Sequence, residues 1–129
     1  MTSAPGPAPA LQHASLETRR DGAEAEAAFF ELLGFMRVAP PPSLSEDRAW
    51  WLQGSGGTQI HLLFDDAPVA PPSGHVALDL GDAYDAVLAA LRAAGHDVEP
   101  RTPHWGGPRA YVRSPGGHRV ELMAAAPPA

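Results

Sequence analysis

Apolar positions recur along the chain with two different periods, and the switches between them predict its elements. Leu11 to Glu17 reads as a short strand rich in apolar residues. Ala23, Ala27 and Phe30 then fall at i, i+4 and i+7. That spacing predicts a helix capped by Asp21, with Glu24 at the capping-box position and Gly34 at its end. Three strands follow, at Phe35 to Val38, Arg48 to Gln53 and Thr58 to Phe64. The first closes on Pro40-Pro41-Pro42, and the other two join through Gly54-Ser55-Gly56-Gly57. Residues 65–73 carry Pro68, Pro71 and Pro72 and read as a linker. Beyond it the order repeats. His75 to Leu80 is a strand, and Asp82 caps a helix whose stripe is Tyr84, Val87, Leu88 and Leu91, stopped by Gly95. A brief strand at Asp97 to Glu99 precedes Arg109 to Arg113 and His118 to Met123, which pair across Ser114-Pro115-Gly116-Gly117.

Each half therefore reads strand–helix–strand–strand–strand. His13 to His75 is 62 residues, Gly34 to Gly95 is 61 and His61 to Glu121 is 60, which predicts an internal duplication. The fold class expected is α+β, with module one at 11–64 and module two at 74–123. Residues 1–10 are small and Pro-rich with little to bury and are expected to be disordered; 124–129 reads as a second tail.

Composition narrows the chemistry. With 129 residues, 44% of them apolar, one domain with a sizeable core is expected. There is no cysteine, which removes disulfides, iron–sulfur clusters and thiol nucleophiles. There is no lysine, which removes Schiff-base chemistry and the phosphate-binding lysine loop. Nine arginines against fifteen acids leave a net charge of −6 with no basic cluster, so a nucleic-acid partner is not expected. No apolar stretch approaches the ~20 residues of a membrane span, and no signal peptide is evident, so a cytoplasmic protein is expected. Gly54-Ser55-Gly56-Gly57 is followed by a strand and is no dinucleotide fingerprint.

Strand parity then isolates four residues. Val76, Leu78 and Leu80 face the helix, so His75 faces away; Ile60, Leu62 and Phe64 face it, leaving His61 opposite. Val120 and Leu122 leave Glu121 on the far face, and His13 shares a face with Leu11 and Ser15. If the two sheets curl into a cup, His13, His61, His75 and Glu121 converge on its floor. Three imidazoles and one carboxylate suit a first-row divalent ion with coordination positions left open for a substrate. Arg109, Tyr111, Arg113 and Arg119 alternate with helix-facing residues and are candidates to line the substrate side. Trp50 is read as the first-half equivalent of Tyr111. Guanidinium groups there suit an anionic substrate.

Leu-Gln-His-Ala-Ser-Leu at 11–16, Phe-Phe-Glu-Leu-Leu-Gly-Phe at 29–35, Gly-His-Val-Ala-Leu at 74–78 and Ala-Tyr-Val-Arg-Ser-Pro-Gly-Gly-His-Arg-Val-Glu-Leu at 110–122 resemble the vicinal oxygen chelate superfamily. That superfamily holds glyoxalases, fosfomycin-resistance enzymes, extradiol dioxygenases, epimerases and bleomycin-binding proteins. Ser114 and Gly116 stand where the family pattern usually has aspartates. The resemblance implies two βαβββ modules forming a half-open β-barrel cup with helices on its outer face, and a homodimer. His13, His61, His75 and Glu121 match the positions that supply metal ligands, for Zn, Ni, Mn or Fe. His61 departs from the Glu or Gln that glyoxalase-like members often carry there. The implied activity is a glyoxalase-like metalloenzyme that chelates adjacent substrate oxygens, for lyase, isomerase or transferase chemistry. Glu121 would be the base acting beside a carbonyl, and Ser15 a hydrogen-bond donor to a bound oxygen. The alternatives are a bleomycin-resistance-like small-molecule binding protein, taking a cationic ligand, and a fosfomycin-type thiol transferase.

Overall fold

Alternating apolar side chains commit the strands to one buried face each, and the computed structural model, which describes residues 9–129, pairs them into two separate sheets. The first half runs β1 (His13–Thr18), α1 (Ala23–Leu32), β2 (Met36–Val38), β3 (Ala49–Gln53) and β4 (Gln59–Phe64). The second runs β5 (His75–Asp79), α2 (Tyr84–Ala93), β6 (Glu99–Arg101), β7 (Arg109–Arg113) and β8 (Arg119–Met123). Sheet order is β1-β4-β3-β2 in one half and β5-β8-β7-β6 in the other. In each, the first strand lies parallel to the last and the remaining pairs are antiparallel. The fold is α+β: two βαβββ units whose sheets stay open at their edges. Of the N-terminal tail expected at 1–10, residues 1–8 lie outside the described residues. Among the described residues, no helix is long and apolar enough to cross a membrane.

Both helices start differently from the sequence expectation. Asp21 and Asp82 do not cap them. Each lies in a 3₁₀ turn, Arg20–Gly22 or Gly81–Ala83, and no side chain caps the helix that follows. The chain must reverse sharply on leaving a strand, and the tight turn satisfies its own amides: Gly22 N–H donates to Arg19 O and Ala83 N–H to Leu80 O. The predicted ends hold. Gly34 at φ +101° and Gly95 at φ +88° occupy the left-handed position that glycine adopts without penalty. Phe35 N–H reaches Phe30 O while Gly34 N–H reaches Glu31 O. His96 and Gly95 do the same with Leu91 and Arg92, the paired bonds of a Schellman stop.

The second strand of module two is also shifted, from the expected Asp97–Glu99 to Glu99–Arg101. Val98 packs on the core instead. Pro100, which has no N–H to donate, is tolerated because β6 is an edge strand.

One core unites the halves. Phe29, Phe30, Leu52, Ile60 and Leu62 of the first cluster with Leu88, Leu91, Ala110, Val112, Val120 and Leu122 of the second, and α1 packs against α2. Polar ties reinforce this seam. The Gly116 amide in the β7–β8 turn donates to Glu26 Oε1 on α1, and His118 Nε2–H donates to Glu17 O across 2.7 Å. Glu26 is 1% exposed, and its Oε2 has no partner among the described residues. With both apolar faces committed to the shared core, the opposite face of each sheet is left for chemistry.

Candidate functional site

On the first sheet, β4 lies between β1 and β3, which places His61 between two other rings. His13 stacks on it with centroids 4.1 Å apart, and Trp51 stacks on it at 4.3 Å with planes within 4°. His61 is 7% exposed; burial first, and the neighbouring His13 second, hold its pKa below the usual imidazole value. The neutral ring is therefore favoured, with a lone pair available. Gln12 Oε1 lies 2.6 Å from His13 Nδ1, and Gln59 Oε1 lies 2.7 Å from His61 Nε2. Each amide oxygen accepts from the ring nitrogen it meets.

On the second sheet, His75 Nδ1–H donates to Ser73 O across 3.0 Å, which leaves Nε2 facing Glu121 Oε1 at 3.1 Å. A backbone carbonyl that takes the Nδ1 proton is the usual way a protein orients an imidazole for coordination through Nε2. The opposite oxygen, Glu121 Oε2, lies 3.3 Å from Arg109 Nη1, while Arg109 Nε–H donates to Thr102 O. Arg109 and Glu121 are both 8% exposed, so this ion pair is largely desolvated. Tyr111 stands opposite Glu121 in the strand pairing, with its ring 5.7 Å from that of His75.

The four residues expected to converge are brought together as two pairs and not as one cluster. His13 and His61 sit on one sheet, His75 and Glu121 on the other. No group of three or more metal-ligating side chains is placed to hold an ion among the described residues. Apolar burial decides which way each strand faces, but parity carries no information on the separation of two sheets. One cross-sheet neighbourhood does form, because Ser15 shares a cavity of about 230 Å³ with His75 and Arg119.

Trp50 is displaced from its expected role. It sits on the helix-facing side against Phe64, with the Arg37 guanidinium 3.6 Å over its ring. Trp51 pairs with His61 as Tyr111 pairs with Glu121, so Trp51 is the true counterpart of Tyr111. In the sequence the 60-residue offset between His61 and Glu121 points to Trp51 and the 61-residue offset between Gly34 and Gly95 to Trp50, and the strand pairing decides for Trp51. Arg113 is exposed and donates to Gly117 O and Pro72 O, tying the linker to the β7–β8 turn. Arg101, which the sequence did not single out, lies on the same face as Arg109 and Tyr111, with its guanidinium 5.0 Å from the Tyr111 ring.

The chain belongs to the Glyoxalase/Bleomycin resistance protein/Dioxygenase superfamily, whose profile matches residues 11–122. Its fold is that of a protein from Bacillus anthracis described as of the glyoxalase family, at 21% identity and a TM-score of 0.78, covering 93% of this chain and 98% of that one. It is also that of a glyoxalase/dioxygenase from Nostoc punctiforme, at 18% identity and TM-score 0.74, covering 95% of each chain. The fosfomycin resistance protein FosX of Listeria monocytogenes aligns at 20% identity and TM-score 0.72, over 91% of each chain. No curated protein matches the chain.

Proposed function

We propose that the protein is a glyoxalase-like metalloenzyme acting on a small molecule, with a divalent ion (Zn, Ni, Mn or Fe) held by His75 and Glu121 together with imidazoles of a first module. The observation that carries this reading is the His75–Glu121 pair. Nε2 and Oε1 stand 3.1 Å apart, with Nδ1–H already committed to Ser73 O. The donor set fits a borderline first-row ion. His13 and His61 fit less directly. Their rings are stacked nearly parallel, so one must rotate before both nitrogens can point at one ion.

When bound, the ion supplies Lewis-acid polarisation of adjacent substrate oxygens. The chain's own residues would do the rest. Glu121 would move a proton on the carbon beside a carbonyl, Ser15 would donate a hydrogen bond to a substrate oxygen, and Trp51 would offer a flat apolar wall. In this reading the protein is a homodimer, and His13 and His61 of one copy complete the site of the other. FosX, solved with Mn(II) and a dihydroxypropylphosphonic acid, supports a place for a divalent ion on this fold. Lyase, isomerase and thiol-transferase chemistry remain within the proposal.

Elemental analysis of protein purified without added metal tests it. About one ion per chain is expected, and His75→Ala should lose it. Protein that takes up no divalent ion overturns the metalloenzyme. The Arg109–Glu121 ion pair favours the second reading, a metal-free small-molecule binding protein, because a guanidinium beside the carboxylate opposes a cation there.

A further inference from the structure

Three guanidinium groups surround one ring on the second sheet. Arg101, Arg109 and Arg119 lie 5.0, 5.5 and 4.8 Å from the centroid of Tyr111. They differ in what else they touch. Arg101 donates to Glu99 at 2.8 Å and Arg109 is bonded to Thr102 O and Glu121. Arg119 has neither a hydrogen-bond nor a carboxylate partner among the described residues, although it is only half exposed. It lines two cavities, one of about 390 Å³ with Tyr111, Arg113 and Ser114, and the one of about 230 Å³ shared with His75 and Ser15. Asp97 and Glu99 also line the larger cavity, and Glu99 is already engaged by Arg101.

The distribution of charge is uneven. In a chain of net charge −6, four of nine arginines, Arg101, Arg109, Arg113 and Arg119, share this one face of module two with Glu99 and Glu121. The matching face of module one, built from His13, Ser15 and Glu17 on β1, Gln59, His61 and Leu63 on β4, and Ala49, Trp51 and Gln53 on β3, carries no arginine. A guanidinium beside an aromatic ring keeps its N–H groups free, in a fork that matches two oxygens of a carboxylate or phosphoryl group.

We propose that this face is an oxyanion subsite: the substrate carries a carboxylate or phosphoryl group that docks on Arg119 beside Tyr111, the one guanidinium of the three around that ring without a carboxylate partner among the described residues. The inference rests on the reading that this sheet face is where a small molecule binds, and it names that molecule's chemical class. It does not depend on a bound metal. Arg119, held beside the ring and half withdrawn from water, is preorganised to bind and loses little freedom on doing so.

Calorimetric titration of the full-length protein, at low salt and both with and without added Mn(II), tests it with inorganic phosphate, acetate and uncharged acetamide. Saturable binding of phosphate or acetate is expected, with acetamide at least tenfold weaker, and the tighter anion distinguishes a phosphoryl from a carboxylate substrate. Arg119→Gln should weaken anion binding about tenfold or more, Arg119→Lys less, and Arg48→Gln not at all. Should Arg119→Gln fail to fold, the loss in Arg119→Lys against Arg48→Gln carries the comparison. Equal binding of acetate and acetamide, or anion binding unchanged by both Arg119 variants, overturns the subsite. So does weak binding of every anion that vanishes at physiological salt in wild type and variants alike. Metal content measured on the same samples separates the two readings. Anion binding without metal uptake removes the metalloenzyme and leaves the subsite, and metal uptake with no effect at Arg119 does the reverse.

Discussion

Trp51 lies flat on His61, with ring centroids 4.3 Å apart and planes within 4°. The stack seals one face of an imidazole already covered on the other by His13, and both burial and the neighbouring ring favour its uncharged form. The unfolded chain takes up a proton near the ordinary histidine pKa of about 6.5, and the folded chain resists until lower pH. This contribution is therefore present above that pKa and is lost as pH falls through the depressed one. Metal-free protein should unfold at lower urea concentration at pH 5 than at pH 7.5, and His61→Gln should flatten that dependence. Equal slopes in both proteins would remove His61 as the source.

Glu121 has two jobs in the proposed chemistry, ligand and base. Glu121→Gln keeps the shape and an oxygen donor but cannot take a proton. Turnover should fall by about 10²-fold or more while some metal is retained, within the range expected for loss of a general base. Full turnover with metal bound would exclude the base role.

Arg109→Ala leaves the Glu121 carboxylate largely buried with only His75 beside it. Removing one partner of a buried pair destabilises strongly, and a clear fall in the urea midpoint is expected. An unchanged midpoint would place the pair among exposed surface contacts instead.

Gly116 fits where it does because α1 comes close. A Cβ there would stand 2.8 Å from Glu26 Oε1 and 3.1 Å from Cδ. Gly116→Ala should destabilise the protein by about 1–3 kcal/mol through the lost cross-module hydrogen bond, and much less in a Glu26→Ala background. Equal losses in the two backgrounds would mean the contact is not the cause.

Sharing of sites between two copies has its own signature. His13→Ala and Glu121→Gln chains are each expected to be impaired alone. If sites are shared in a dimer as proposed, co-refolding should give mixed dimers in which both lesions fall in one site and the other site is intact, so activity and metal should return. No recovery on mixing would place all four ligands within one chain.

Much of this architecture is legible without coordinates. A period of two in strands and 3.6 in helices records which face is buried, and two glycines record where each helix must stop. The same parity placed His13, His61, His75 and Glu121 away from the helices, because a strand residue has only two directions to point. The helix starts were not legible, since a 3₁₀ turn and an aspartate cap look alike in sequence. Trp50 and Trp51 differ by one residue and so by a whole face, and only the pairing of Trp51 with His61 decided between them. The 3.1 Å approach of His75 to Glu121, the Arg109 that holds the other carboxylate oxygen, and the separation of the two ligand pairs were decided by tertiary structure alone. Periodicity is a property of one segment and its solvent. Distance between segments is set by how a shared core packs, which no single segment encodes.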